Sequence, residues 1–165
     1  DRITRNSIKL GKIQVNNVQP QATPEFETPT AEGFIPAHLF SQVDVTKTWD
    51  LNVIRGGQYG IGWAMNRRLW PEVDKADFQI GKPIKIRFSN TSSRLHPMHI
   101  HGAFFRVLEV NGKPTEEPFT RDTVLVGSRE TIIIGLIPEH EGIWLTHCHI
   151  QSHADSGMMT TIKVN

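Results

Sequence analysis

The sequence predicts an all-β sandwich preceded by a poorly regular N-terminal arm, and three observations carry that prediction. Short segments of alternating apolar and polar residues recur along the chain, turn residues separate them, and no window of about 12 or more residues sustains a helical period. Self-similarity at a fixed spacing is absent, which argues against a propeller or a solenoid.

The elements follow in chain order. Residues 1–33 hold Pro20, Pro24 and Pro29 among polar residues, with one short apolar alternation at Ile8, Leu10 and Ile13. They predict an arm or interdomain linker with one strand. Residues 34–165 form the expected domain, with a first strong strand at Trp49, Leu51 and Val53, alternating with Thr48, Asp50 and Asn52. Further strands are predicted at Ile84–Phe88, Phe104–Val110, Thr123–Val126, Thr131–Ile137, Ile143–Ile150 and Met159–Val164. Turns are expected at Gly56-Gly57, Gly81 to Pro83, Asn111 to Pro114, Gly127-Ser128 and Pro138 to Gly142. Thr91–Leu95 and the segment after His149 have room for a turn of helix.

Composition narrows the function classes. With 165 residues, 38% hydrophobic, 21% charged and a net charge of +1, the chain has the apolar mass for a core and lacks a basic footprint for nucleic acid. No apolar stretch approaches the roughly 20 residues that span a bilayer, so a soluble domain is expected. No basic segment followed by an apolar one is visible as an export signal, as would also hold for a mature or truncated chain. The single cysteine, Cys148, cannot form an internal disulfide and needs another explanation.

Six of the eight histidines supply it. Five fall in two short blocks, His96-Pro-Met-His99-Ile-His101 and His147-Cys148-His149, and the sixth, His153, lies just beyond with Met158. Imidazole and thiolate at this density suit copper, zinc or iron. Two histidines, one cysteine and a weak thioether are the ligand set of a blue-copper electron-transfer centre. Structural zinc favours paired cysteines, so copper is preferred. Strand parity sorts the ligands, because neighbouring side chains point to opposite faces. His147 and His149 share one face and Cys148 takes the other; His99 and His101 go together, with His96 offset across a kink imposed by Pro97. One face can then collect His96, Cys148, His153 and Met158 around one copper. The other presents His99, His101, His147 and His149, an incomplete site for several metals. His38, His140, Met65 and Met98 are read as structural.

This pattern resembles the C-terminal cupredoxin domain of multicopper oxidases, the family of laccases, ascorbate oxidase, bilirubin oxidase and ceruloplasmin. The resemblance runs from about Trp63 to the C-terminus through Trp63 to Asn66, Phe88 to Asn90, His96 to Gly102, Arg121 to Thr123, Gly142 to Trp144 and His147 to Met159. It implies a Greek-key cupredoxin-type sandwich in which His96, Cys148, His153 and Met158 bind a type 1 copper. It further implies that His99 binds a type 2 copper and that His101, His147 and His149 bind a type 3 pair, in a trinuclear cluster that reduces dioxygen to water. In that scheme His153 is the electron entry point, and Cys148 is the wire to His147 and His149. The reducing substrate would be a phenol, an aromatic amine or a metal ion, and the location periplasmic or secreted.

Three departures accompany the resemblance. The family's N-terminal domain adds four cluster histidines in two His-x-His motifs, and nothing before His96 resembles them. The expectation is a fragment of a longer polypeptide, or a subunit that meets a partner bearing those motifs. Ala154 then Asp155 follow His153 where many bacterial relatives have an immediate carboxylate, and Arg67-Arg68 follow Asn66 where Asn-Gly is common. The alternative is a stand-alone blue-copper carrier or copper-binding module that uses only the mononuclear site. Copper nitrite reductase, which needs three histidines at its second copper, is disfavoured by the four here.

Overall fold

Alternation along the chain becomes strands whose inward residues close a core between two sheets. The computed structural model describes Lys12 and residues 35–56 and 60–165. The expected strand at Ile8–Ile13, the rest of the N-terminal arm and Gly57 lie outside the described residues. After a 3-10 turn at Ala37–Phe40, the strands are β1 (Val45–Arg55), β2 (Ile61–Met65), β3 (Ala76–Phe78), β4 (Ile84–Asn90), β5 (His96–Ile100), β6 (Phe105–Val110), β7 (Lys113–Pro114), β8 (Thr123–Val126), β9 (Thr131–Leu136), β10 (Gly142–Cys148) and β11 (Met159–Val164). One short helix, α1 (Gln151–Asp155), interrupts the last pair.

One sheet has the order β2-β1-β4-β9-β6-β7 and the other β3-β11-β10-β5-β8. Pairing is antiparallel except between β1 and β4 and between β11 and β3. Trp49, Leu51, Ile86, Phe88, Phe105 and Ile134 face inward from the first sheet, and Met98, Ile100, Val126, Cys148 and Ile162 from the second. Trp49 stands opposite Phe88 across the β1–β4 pair, their rings stacked at 5.8 Å. Each such large side chain contributes roughly 1.5–3 kcal/mol by leaving water.

The seven strands predicted within residues 34–165 are all present. Those at Phe104 and Ile137 start or stop one residue inside the expectation, and β10 ends at Cys148 rather than Ile150. Alternation in β1 fails at Val53, which is exposed, because that end of the strand pairs with the edge strand β2. The helical turn appears after His149, as α1. Thr91–Leu95 is instead a non-helical bend, pinned by the buried Asn90 side chain, which donates to the carbonyls of Arg94 and Gly127 and accepts from the Ser92 amide. The Asn111-Gly112 turn closes the β6–β7 hairpin with both residues at positive φ. Asn66 and Arg67 adopt the same two-residue geometry after β2, at φ 51° and 60°. The Asn66 side chain, bonded to the Asp50 amide and the Thr48 carbonyl, holds that turn although Arg67 stands where glycine is the easy choice.

Candidate metal centres

The β5–β10 pair builds both sites. Its register sets Cys148 opposite Met98 and His147 opposite His99, and directly opposed residues share a face. Cys148, Met98 and His96 therefore point into the sandwich, and His99 and His147 point out of it. The kink expected at Pro97 is not needed: burial simply alternates from His96 to Ile100, and Pro97 uses its carbonyl to accept the His149 amide at 2.7 Å.

On the inner face, His96 Nδ1 and His153 Nδ1 are 3.1 Å apart, and Cys148 Sγ lies 3.9 and 3.7 Å from them. All three residues are buried. α1 delivers His153, and the tight return after it brings in Met158, whose side chain is fully buried and whose backbone bonds to both His153 and Cys148. A hydroxyl fixes the His96 tautomer. Ser92 Oγ donates to the Arg94 carbonyl, so it accepts from His96 Nε2, which leaves the Nδ1 lone pair aimed at the other donors. Trp63 from β2 stacks on His153 with centroids 3.9 Å apart and meets His96 edge-on at 5.3 Å, excluding water from one side.

Burial sets the protonation states. Desolvation, then the neighbouring His153, hold His96 down at about 4, and desolvation pushes the Cys148 thiol up to about 11. His153 is lowered by burial and next by the Arg94 guanidinium. Two neutral imidazoles, one sulfur and a buried thioether fit copper by donor chemistry. A stability consequence follows for the metal-free chain. His96 binds its proton less readily folded than unfolded, so its contribution is complete above pH 6.5 and is lost as pH falls toward 4. Denaturant midpoints should drop across that window by the equivalent of about 3 kcal/mol. In His96→Gln that part of the slope should vanish; an identical slope in both proteins would refute the assignment.

On the outer face, the rings of His99, His101, His147 and His149 lie 4.6–5.6 Å apart between neighbours. His101 Nε2 and His147 Nε2 approach to 3.1 Å. His99 Nδ1 donates to the Asp122 carbonyl at 2.9 Å, with Thr123 Oγ1 at 3.1 Å, and His147 Nδ1 donates to the Cys148 carbonyl at 3.0 Å. Both therefore carry their ring lone pair on Nε2, that of His147 facing His101 Nε2. Desolvation and the three neighbouring imidazoles hold His101 below its usual range. A cleft of about 510 Å³ opens beside His99 and His101, and His140, read as structural from the sequence, lines it along with Glu139 and Phe104. Gly102, at φ 66°, closes the turn after His101 with the Trp144 indole lying where its Cβ would be.

Residues 42–165 match the family profile described as multicopper oxidase. The chain belongs to the multicopper oxidase family. Its two-sheet architecture is the cupredoxin sandwich of that family, and membership implies copper, which the inner donor set fits. Multicopper oxidase MmcO of Mycobacterium tuberculosis is 28% identical over 147 residues, covering 87% of this chain and 29% of that protein. Laccase-5 of Trametes versicolor is 29% identical over 158 residues, covering 92% of this chain and 30% of the laccase. The crystal structure of McoA multicopper oxidase from Aquifex aeolicus superposes with a TM-score of 0.62 at 30% identity, over 76% of this chain and 30% of that one. This multicopper oxidase chain thus spans less than a third of each. Among the described residues, no helix is long and apolar enough to cross a membrane.

The structure brings together every sequence-predicted site residue in the two groups expected, apart from Met158, which is buried and meets His153 and Cys148 through its backbone. Sequence reasoning missed Ser92 and the role of Trp63. The first is a hydroxyl in a bend with no pattern of its own; the second sits on an edge strand remote in sequence from both histidine blocks.

Proposed function

We propose that residues 34–165 are the C-terminal cupredoxin domain of a laccase-like multicopper oxidase, with residues 1–33 an arm or linker toward the remainder. His96, Cys148, His153 and Met158 hold the type 1 copper; His99 contributes to the type 2 copper, and His101, His147 and His149 to the type 3 pair. Copper bound at these positions supplies one-electron chemistry on the inner face and reduction of dioxygen to water on the outer. His153 admits electrons from a small reductant such as a phenol, an aromatic amine or a metal ion. Cys148 joins the sites covalently, its sulfur on one side and its peptide bonds to His147 and His149 on the other. The second domain, on the same polypeptide or another chain, brings two His-x-His motifs. The same reading implies a periplasmic or secreted protein.

The observation that supports this reading most directly is the back-to-back arrangement about β10, with a buried His-Cys-His group on one side and four convergent imidazoles on the other. Copper added to the purified chain should give an intense visible thiolate-to-copper band and a narrow EPR hyperfine splitting. A colourless protein that takes up only zinc would reject the inner site. Oxygen uptake should need a chain carrying the missing motifs; turnover by this chain alone would overturn the half-cluster.

A further inference from the structure

His153 lies under a surface depression of about 570 Å³. The ring turns Nδ1 inward toward His96 and Cys148, so its Nε2 edge is what remains to line that depression. Trp63, Leu95 and Ile150 make apolar walls, and the remaining lining is Arg94 and two serines. Leu95 is 48% exposed, an apolar surface with nothing over it among the described residues. No carboxylate lines the depression, and among the described residues none pairs with the Arg94 guanidinium. The nearby acid of α1, Asp155, is engaged by the Gln151 amide at 2.6 Å. The backbone from which Arg94 projects is pinned: its amide and carbonyl bond to Ser92 Oγ, and the buried Asn90 donates to the same carbonyl.

We propose that this depression binds an aromatic ring bearing an anionic group, a carboxylate or sulfonate, with the ring against Trp63 and Leu95 and the anion on Arg94. It rests on the reading of His153 as the electron entry point and narrows the reductant to anionic aromatics, against metal cations. A cation meets a guanidinium and no lining carboxylate, so it is repelled where electrons must enter. A planar guanidinium pairs with carboxylate or sulfonate oxygens in a fork that an ammonium does not reproduce. The flat walls of Trp63 and Leu95 supply the contact area that a bare anion would leave unused.

Two measurements test it. In the first, the metal-free chain is titrated with benzenesulfonate and with neutral benzyl alcohol, following the Trp63 indole and His153 ring resonances. Benzenesulfonate should shift both, and Arg94→Gln should weaken that binding about ten-fold, by the loss of one near-surface charge contact. In the second, the copper-loaded chain is mixed with syringate or its neutral methyl ester, and loss of the visible band is timed. Each phenol gives up one electron to one copper(II) and its proton to water, leaving a phenoxyl radical. The ratio of the syringate rate constant to that of the ester should fall about ten-fold in Arg94→Gln, recover partly in Arg94→Lys, and shrink with added salt. Sulfonate binding no tighter than that of the alcohol, or a ratio indifferent to Arg94, would overturn the anionic preference. Absence of the visible band would instead sink the copper reading, while the metal-free titration still reports on Arg94.

Discussion

Exchange of Cys148 for serine is expected to abolish the thiolate-to-copper band of the loaded chain completely while the sandwich still folds at neutral pH. Cys148 is the single thiol of the chain and sits 3.7–3.9 Å from the two inner imidazoles, so no other sulfur can take its place as thiolate. The hydroxyl would be buried in a fully enclosed position, at a cost of roughly 1–3 kcal/mol in the metal-free state. The backbone at that position is unaltered, so the β5–β10 register and the outer imidazoles should persist. His149→Ala should do the opposite, keeping the band and removing one outer donor. Absorption and EPR spectra of both variants decide the matter: a band surviving in Cys148→Ser, or vanishing in His149→Ala, would contradict the assignment of faces.

Gly102→Ala should be among the most damaging single-methyl additions in the chain. A Cβ there would meet three Trp144 ring atoms at 2.3–2.6 Å, and the backbone sits at φ 66°, where an L side chain is strained. Steric overlap and strain each cost about 1–3 kcal/mol, so the melting temperature should fall by well over 5 °C. Trp144 cannot retreat freely, because its indole nitrogen is bonded to the His140 carbonyl. The turn carries His101 at its start, so the ring pair His101–His147 should separate, visible as altered imidazole shifts on the outer face with the inner site still able to load. Adding Trp144→Leu should recover the steric part but not the strain. A single variant as stable as the parent would show that this packing is dispensable.

Most of the seven strands were legible by alternation between Gly, Pro or Asn turns, whereas β9, buried along nearly its whole length, was legible as a short continuous apolar run. The sorting of the histidines was legible because parity is a backbone property that needs no tertiary information. Other parts were not. β3 is three residues long and exists only through parallel pairing with β11, a partner far along the chain. β2 contains Gly62, whose missing side chain accommodates Leu69, and its pattern is too weak to announce a strand. The role of Asn90, holding the bend that positions Ser92 and Arg94, depends on four hydrogen bonds that no spacing rule foretells. The arginines at 67 and 68 gave notice of a departure after Asn66 but not of its left-handed geometry, which Asn66 enforces by bonding to β1.

Because His147, Cys148 and His149 are consecutive, one stretch of backbone serves as the floor of one pocket and the ceiling of the other. Any local opening of this strand releases donors on both sides together, so an ion resting in either pocket suppresses the fluctuation that would empty its neighbour. Reciprocity then predicts mutual help: copper titrations that follow each pocket separately should show cooperative filling even without a shift in mean atomic positions, and independent filling would refute it.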